Sequence, residues 1–363
     1  MMSAKAAASA LCAMLAIAAT PIASSASTAV GSWTATTSLA TPRAHATATL
    51  LENGPVLVVG GVDELSTELY DPATAAWIPG GTLHETHWGH LAVRLADGRV
   101  LVAGGARYSS DAELYDPALN TWTLTGSMNV GRISFTGTLL RDGRVLVVGG
   151  LSADGTGVQA SAELYDPATG RWTRTAGLRT PRLNHTATLL TDGTVLVAGG
   201  SNPSGMLRDA ELYDPVRGRW SRVAPMTAAR ERPSATLLGN GRVLVAGGAN
   251  PFGTAALSAE LYDPGSGRWT PTGGMADYWG PEAVLLQDGR VLRAGGGEAG
   301  GVYSPATGTW AATGPRFHSL VGGAALALLP NGQVLSVGGA RLANCSPKGC
   351  GSEPVASAEL YTP

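Results

Sequence analysis

The chain has 363 residues, of which 14% are charged, and its formal net charge at pH 7 is −2. Because positive and negative charges nearly cancel, we predict no binding to nucleic acid or to an anionic membrane surface, both of which attract strongly basic proteins. Glycine contributes 50 residues and proline 22, which is typical of an all-β chain with many turns.

Residues 1–26 have the composition of an export signal. One lysine precedes an apolar segment rich in alanine, Ala6–Ile22, and small residues suited to signal peptidase follow at positions 24–26. This segment is too short for a convincing membrane-spanning helix, and no later segment is apolar enough to be one. We therefore predict a signal peptide over 1–26, one domain over 27–363, and a secreted or periplasmic location.

The rest of the chain consists of seven copies of one segment, represented best by residues 180–220. In this copy Asp192-Gly193 separates two apolar runs, which predicts strands A and B joined by a tight hairpin with positive φ at both central residues. The seven turns each pair glycine with a preceding Asn53, Asp97, Asp142, Asp192, Asn240, Asp288 or Asn331.

Strand B of each copy ends in a double glycine. The preceding run, Val195–Ala198 in the fourth copy, is continuously apolar, which indicates burial on both faces. Two successive residues without side chains predict close approach by another group or a special backbone conformation. The first glycines of the pairs are Gly60, Gly104, Gly149, Gly199, Gly247, Gly295 and Gly338.

Strand C carries Ala-Glu-Leu-Tyr-Asp-Pro and strand D a tryptophan, so each copy supplies four short strands. Such a repeat, about 43 to 50 residues long, predicts the blades of a β-propeller. The strand D tryptophans indicate seven blades. They are Trp33, Trp77, Trp122, Trp172, Trp220, Trp269 and Trp310. Trp33 belongs to an isolated strand D, and the last copy ends after strand C at Pro363. We expect the first strand to complete blade seven and close the ring.

The double glycine, the tyrosine of strand C and the tryptophan of strand D resemble kelch repeats over almost the whole chain after the leader. The resemblance implies a seven-bladed β-propeller similar to the central propeller of galactose oxidase. Copper oxidases of that kind need two tyrosines, two histidines and a cysteine for a thioether crosslink. This chain has no Tyr-His dipeptide, and its only cysteines after the leader are Cys345 and Cys350. We therefore predict no metal and no cofactor.

Cys345 and Cys350 lie close together in the longest B–C loop, the connection between strands B and C. In an exported protein we expect them to form a disulfide.

The D–A and B–C loops share one face, which we call the loop face, and they vary more than the turns of the opposite face. Variable loops on a rigid scaffold commonly carry function. Trp88 and Trp279 are the only tryptophans outside strand D, and they fall at the same position of blades two and six. They suit stacking on a sugar, while loop packing is the competing interpretation. The polar ligand-binding candidates beside them are His87, His90, Tyr278 and Glu282.

His84, His87 and His90 form an H-x-x-H-x-x-H pattern that suggests a metal site. A spacing of three alternates the faces of a strand, and His185 fills the position of His90 in an ordinary copy. We therefore interpret them as packing or surface histidines rather than metal ligands.

Two classes of function follow from this organisation. We favour an exported monomer that binds a glycan or a protein on its loop face without catalysis. The alternative is a carbohydrate-active enzyme, lyase or oxidase-like, on the same face. A lyase of this kind uses histidine, tyrosine and arginine, roles open to His87, His90, Tyr278 and Arg132.

Arginines begin strand A in four blades, and glutamates begin strand C in six. The arginines are Arg43, Arg132, Arg182 and Arg230, with His87 in their place in blade two. Since strand B lies between A and C and ends in glycine, an arginine can cross it to reach the glutamate of its own blade. Blade six has Tyr278 and Gly301 in the two positions, so both partners are missing together. The pattern predicts a structural ion pair within each blade rather than a ring of cations for a ligand.

Overall fold

A computed structural model of the chain describes residues 29–61, 64–152, 157–249, 257–276, 282–294, 297–320, 322–346 and 349–363. Within these residues the structure is built from β-strands, with one short 3-10 turn at Ala106–Tyr108. The strands form seven antiparallel blades, each with the order A, B, C, D, so the all-β, seven-bladed prediction is confirmed.

The two inner strands of each blade are short and regular in blades one to six. Strand A spans Thr47–Leu50, Leu91–Arg94, Thr136–Leu139, Thr186–Leu189, Ser234–Leu237, Glu282–Leu285 and Gly322–Leu328 in blades one to seven. Strand B spans Val56–Val59, Val100–Ala103, Val145–Val148, Val195–Ala198, Val243–Ala246, Val291–Ala294 and Val334–Ser346.

The two outer strands carry the tyrosine and the tryptophan of the repeat. Strand C spans Ser66–Asp71, Ala112–Asp116, Ala162–Asp166, Ala210–Asp214, Ala259–Asp263, Gly297–Ser304 and Ala358–Thr362. Strand D spans Ala76–Thr82, Thr121–Leu124, Arg171–Thr175, Arg219–Arg222, Arg268–Thr272, Thr309–Leu320 and, for blade seven, Ser32–Ala35. Short extra strands in the B–C loops are Leu151–Ser152, Gly157–Val158, Ser201–Asn202, Gly205–Met206 and Gly349–Pro354.

The ring closes where the sequence predicts. Strand A of each blade contacts strand A of the next, and that of blade one contacts that of blade seven, so these strands surround a central channel. Ser32–Ala35 pairs antiparallel with Ala358–Thr362 and places Trp33 opposite Tyr361. The indole of Trp33 is buried and donates a 3.0 Å hydrogen bond to Thr313 Oγ1 of blade six. Both ends of the described chain therefore share blade seven.

The core lies between the blades. All four residues of strand B are fully buried in blade four, as the continuous apolar run predicts. The tyrosine of strand C packs on the tryptophan of strand D in every blade, with ring centroids 4.9 Å apart for Tyr213 and Trp220. The Trp220 indole donates a 2.7 Å hydrogen bond to the carbonyl of Ala176 in the preceding blade. Each tryptophan thus fills an interface as well as its own sheet.

The hairpin turns correct one prediction. Only the glycine of each Asp-Gly or Asn-Gly pair has positive φ, 88° at Gly193, whereas Asp192 does not. Gly193 N–H donates to Leu190 O and Leu190 N–H to Thr194 O, which is a three-residue connection with glycine in the bulge position. The aspartate is selected for another reason, because its Oδ1 accepts the backbone N–H of Thr194 at 2.9 Å.

The double glycine joins neighbouring blades. Gly149 and Gly150 of blade three both have positive φ, and the Gly150 N–H donates a 2.9 Å hydrogen bond to the carbonyl of Arg182 in blade four. A Cβ on Gly149 would lie 2.5 Å from that carbonyl oxygen, which is closer than real Cβ atoms come. Close approach and special backbone conformation, the two predicted explanations, both apply.

Candidate functional site

The strand A arginines form the predicted ion pairs. Arg182 is fully buried, and its Nη2 lies 3.1 Å from Glu211 Oε1. Its Nη1 donates to the carbonyl oxygens of Gly199, at 2.8 Å, and Asp209, at 3.1 Å. The guanidinium therefore crosses the end of strand B at the double glycine. Equivalent pairs join Arg43 to Glu68, Arg132 to Glu163 and Arg230 to Glu260.

Blade two uses histidines where the other blades use arginine. His87 is fully buried, with Nδ1 2.6 Å from Gly104 O and Nε2 3.4 Å from Glu113 Oε1. His84 reaches the same glutamate from the loop, with Nδ1 2.7 Å from Oε2. Burial alone raises the pKa of Glu113, but the contacts with His87 and His84 lower it to about 2. His87 is thus part of the scaffold and lies outside any surface cavity.

Blades six and seven obtain their buried cations from unexpected strands. In blade six Arg293 is fully buried on strand B, opposite Gly301, and its Nη1 lies 2.9 Å from Met275 Sδ. In blade seven Glu359 is paired with Arg316, which belongs to the long strand D of blade six, at 3.0 Å. Like the arginines of the other blades, these two are buried in the protein interior.

A cavity of about 550 Å3 opens on the loop face at the mouth of the central channel. All seven blades contribute to its lining. The residues with side chains of functional interest are His45, Trp88, His90, Ser134, Phe135, Asn184, His185, Arg232 and Glu282. Gly89, Pro233, Gly322, Gly323, Ala340 and Ser352 complete it. Its volume lies in the range of small-molecule sites, which is about 300 to 1,000 Å3.

One residue at the start of strand A has a left-handed backbone conformation. This holds in every blade in which that position is described. We call these positions the left-handed slots. They are His45, Gly89, Ser134, Asn184, Arg232 and Gly323, with φ of 60°, 61°, 55°, 54°, 52° and 73°. All six line the cavity.

Backbone hydrogen bonds connect the left-handed slots around the mouth. Asn184 N–H donates to Ser134 O, Arg232 N–H to Asn184 O, and His45 N–H to Gly323 O, each at 2.9 Å. Because the main chain makes these links, the slot side chains are free to differ. The result is a rigid ring of positions whose chemistry varies from blade to blade.

Trp88 behaves differently from the strand D tryptophans. Its side chain is 38% exposed at the cavity. Within the described part of the chain its indole N–H has no acceptor, whereas the buried Trp122 donates to Gly80 O at 3.1 Å. An indole exposed at a cavity is available for ligand stacking.

His90 and His185 fill equivalent positions on the rim. Nε2 of His90 lies 3.0 Å from Thr47 Oγ1, and Nε2 of His185 lies 2.8 Å from Thr136 Oγ1, each reaching the preceding blade. Burial lowers the pKa of both imidazoles to about 3, so they are neutral at pH 7. They present an uncharged wall to the cavity and hold adjacent blades together.

Glu282 begins strand A of blade six, directly at the cavity. Its Oε2 is buried, and no hydrogen-bond partner for it exists among the described residues. Burial raises the pKa of Glu282 to about 7, although Arg293 and Arg316 act in the opposite direction. The carboxyl group is therefore partly protonated near neutral pH, when it can donate a hydrogen bond as well as accept one.

The other predicted site residues fall outside the described part of the structure. Tyr278 and Trp279 lie in the segment 277–281, so the second aromatic platform stays a prediction. Cys345 and Cys350 lie on the paired strands Val334–Ser346 and Gly349–Pro354, but their side chains are not described. The disulfide also stays a prediction.

Sequence reasoning missed the left-handed slots and the cavity residues His45, Ser134, Asn184 and Arg232. No single residue type marks these positions, because their conformation comes from bonds between main chains of different blades. The detectable signal is indirect: in copies aligned on the hairpin turn, these positions vary between otherwise similar neighbours.

Comparisons with known proteins agree with this architecture. The Kelch motif matches residues 182–227, from the strand A arginine of blade four to the loop before blade five. No curated protein matches the sequence. A novel fungal alcohol oxidase of the AA5 family, solved in complex with copper, has a similar structure with a TM-score of 0.76. The similarity covers 92% of this chain and 76% of the oxidase chain at 20% identity, so it shows the fold alone.

Among the described residues, the cavity histidines are not grouped so that they could hold a copper ion. His90 and His185 each use Nε2 in a contact with a threonine of the preceding blade. Among the residues with described positions, no three His, Cys, Asp or Glu side chains converge where they could hold a metal ion. No helix in the described chain is long and apolar enough to cross a membrane.

Proposed function

We propose that this chain, a kelch-repeat β-propeller, is a binding module that takes a glycan into the cavity at the channel mouth. The observation that carries the proposal is the ring of left-handed slots. Their main chains form a uniform scaffold, yet their side chains differ and all line one cavity. Strained positions with variable side chains around a cavity are typical of ligand sites.

The chemistry of the lining favours a sugar. Trp88 offers a partly exposed indole at the cavity, which suits the apolar face of a pyranose. Ser134, Asn184 and His45 supply hydroxyl, amide and imidazole groups that can bond to sugar hydroxyls. An aromatic platform with a few oriented polar groups is the usual composition of such a site.

Glycan-array binding tests this function directly, with Trp88→Ala as the site variant. Phe317→Ala is the matched control, because Phe317 is a more exposed aromatic residue, 63% exposed, beside a separate depression between blades seven and one. We expect saturable binding that Trp88→Ala weakens and Phe317→Ala leaves intact. Binding to a protein with no glycan binding, or equal effects of both variants, would overturn the proposal.

A carbohydrate-active enzyme is the second candidate, and Glu282 is the observation that favours it. A carboxyl group whose pKa lies near 7 is suited to general acid–base catalysis. The lyase roles considered for His87 and Arg132 find no support, since both side chains are fully buried in the scaffold. Turnover of a bound glycan that is lost in Glu282→Gln, with binding retained, would favour the enzyme.

We also propose that the protein is exported through its N-terminal segment and acts as a monomer. The alanine-rich run in residues 6–22 and the small residues that follow it support export. N-terminal sequencing of protein recovered outside the cytoplasm tests the cleavage near residue 26. Light scattering of that material tests the monomer.

A further inference from the structure

Arg232 occupies the left-handed slot of blade five, where the fold does not require it. Its φ is 52°, a conformation that is costly for arginine and natural for glycine. Gly89 and Gly323 fill the same slot in blades two and seven. A bulky charged residue kept in a strained position indicates a role beyond folding.

The Arg232 side chain differs from the structural arginines of the strands. Arg230, two residues earlier, is fully buried and bonded to Glu260 at 3.0 Å. Arg232 is exposed and lines the cavity, and its guanidinium has no hydrogen-bond or ion-pair partner among the described residues. It is the kind of cation that a ligand can bind.

The backbone that carries Arg232 is held on both sides. The Arg232 N–H donates to Asn184 O of blade four at 2.9 Å. The preceding residue, Glu231, exchanges backbone hydrogen bonds with Ala249, at 3.1 and 2.8 Å. The guanidinium therefore extends from a fixed point on the rim.

His45 faces the same cavity from blade one. Desolvation at the mouth, and secondly the positive charge of Arg232, lower the pKa of His45. The two side chains therefore interact electrostatically, although they come from blades that are not neighbours. An anion bound between them would receive a charged donor from one side and an imidazole from the other.

Among the described residues that line the cavity, little negative charge opposes an anion. Glu282 is partly neutral near pH 7, as described above, and His90 and His185 are uncharged. The carboxylate of Glu231 accepts a 2.6 Å hydrogen bond from the Asn184 side chain. Glu231 keeps its charge but does not line the cavity, so Arg232 is the cation that a ligand meets there.

We infer that the glycan bound here is acidic, with its carboxylate on Arg232 and His45 and its sugar ring on Trp88. The inference rests on the proposed function, because it names the ligand class of the same cavity. A uronic acid combines the two required parts, a pyranose ring with an apolar C–H face and a carboxylate. The planar guanidinium matches a carboxylate with two parallel hydrogen bonds.

Calorimetric titration with uronate trisaccharides tests the inference. Galacturonate, glucuronate and mannuronate trisaccharides are each compared with their methyl esters, which keep the rings and remove the charge. We expect at least one free acid to bind about tenfold more tightly than its ester, the ratio that one modest charged contact supplies. The preference should shrink as salt is added.

Arg232→Gly is the decisive variant, since glycine is native to this slot in two other blades. It should bind the free acid no better than the ester, while its melting temperature stays unchanged or rises. Ser134→Gly is the matched control, because it makes the same backbone change in the slot of blade three without removing a charge. Because Ser134 lines the cavity, this variant can weaken acid and ester alike, but the ratio of their affinities should stay unchanged.

The outcomes separate this inference from the function on which it rests. Equal binding of acid and ester overturns the acidic ligand, and a preference that survives in Arg232→Gly overturns the placement of the carboxylate on Arg232. Either result leaves glycan binding in place. Failure of every trisaccharide, together with a silent glycan array, overturns the proposed function and the inference with it.

Discussion

The Arg182–Glu211 pair predicts strong coupling between two buried charges in blade four. Removing Arg182 by mutation to alanine deletes its hydrogen bonds to Glu211, Gly199 and Asp209. It also leaves the buried Glu211 carboxylate with only two backbone donors, Arg179 N at 2.9 Å and Thr180 N at 3.1 Å. Stranding one buried charge costs about 3 to 5 kcal/mol, so we expect a loss of that size.

The reverse mutation should cost a similar amount for a complementary reason. Glu211→Ala leaves the Arg182 guanidinium with carbonyl acceptors alone and removes the acceptor of two loop N–H groups. The double mutant strands neither charge. We therefore expect its loss to fall below the sum of the two single losses by about 1.5 to 3 kcal/mol, the worth of a charged hydrogen bond.

Urea unfolding of the four proteins measures this double-mutant cycle. Arg219→Ala is the control, because Arg219 lies exposed on strand D of the same blade and should change stability by no more than about 0.5 kcal/mol. Losses that add within about 0.5 kcal/mol would show that the pair is uncoupled. The arginines would then return to consideration as ligand-binding groups.

Three further predictions concern stability, the pH profile and the ring closure. Because the folded protein keeps the Glu282 proton up to about pH 7 while the unfolded chain releases it near pH 4.5, stability should fall by about 3 kcal/mol as pH rises between these values. Glu282→Gln should flatten that part of a profile of melting temperature against pH, and an unchanged slope would contradict the assignment. Trp33→Ala should lower the free energy of unfolding by about 3 to 5 kcal/mol in a denaturant titration, since it empties the interface that closes the ring. Trp88→Ala should lower it by about 0.5 kcal/mol or less, because Trp88 is exposed. Similar losses in both variants would favour loop packing by Trp88. Deleting residues 31–36 should lower the melting temperature and promote association through the open edge of blade seven, and a monomer of parental stability would refute closure by this strand.

The fold could be predicted because every blade repeats the same physical solution. In blades one to six a tryptophan follows the strand C tyrosine by seven residues, after a glycine pair that ends strand B. Each of these residue types is required by a contact that the structure shows. The Arg182–Glu211 pair was predictable for the same reason, since both partners recur together and Gly199 leaves a path between them.

The candidate site was harder to predict because its geometry does not depend on residue type. Arg232 and Ser134 share a conformation that is imposed by hydrogen bonds to the main chain of another blade. The hairpin turns show a related limit, since Asp-Gly serves both a two-residue turn and a three-residue connection. An arginine interrupts the apolar run of strand B only in blade six, at Arg293. A residue that does not recur in the other blades offers no pattern from which its buried position could be predicted.

The pairing of Ser32–Ala35 with Ala358–Thr362 joins the first and the last strands that the structure describes. During translation the earlier blades can assemble while Trp33 stays unpaired, because its partner Tyr361 has not yet been synthesised. Closing a loop that spans nearly the whole chain is slow compared with forming local hairpins. A polypeptide interrupted before residue 358 keeps an unpaired β edge, which invites aggregation and proteolysis. The edge disappears only once Ala358–Thr362 has been synthesised and has paired with the first strand.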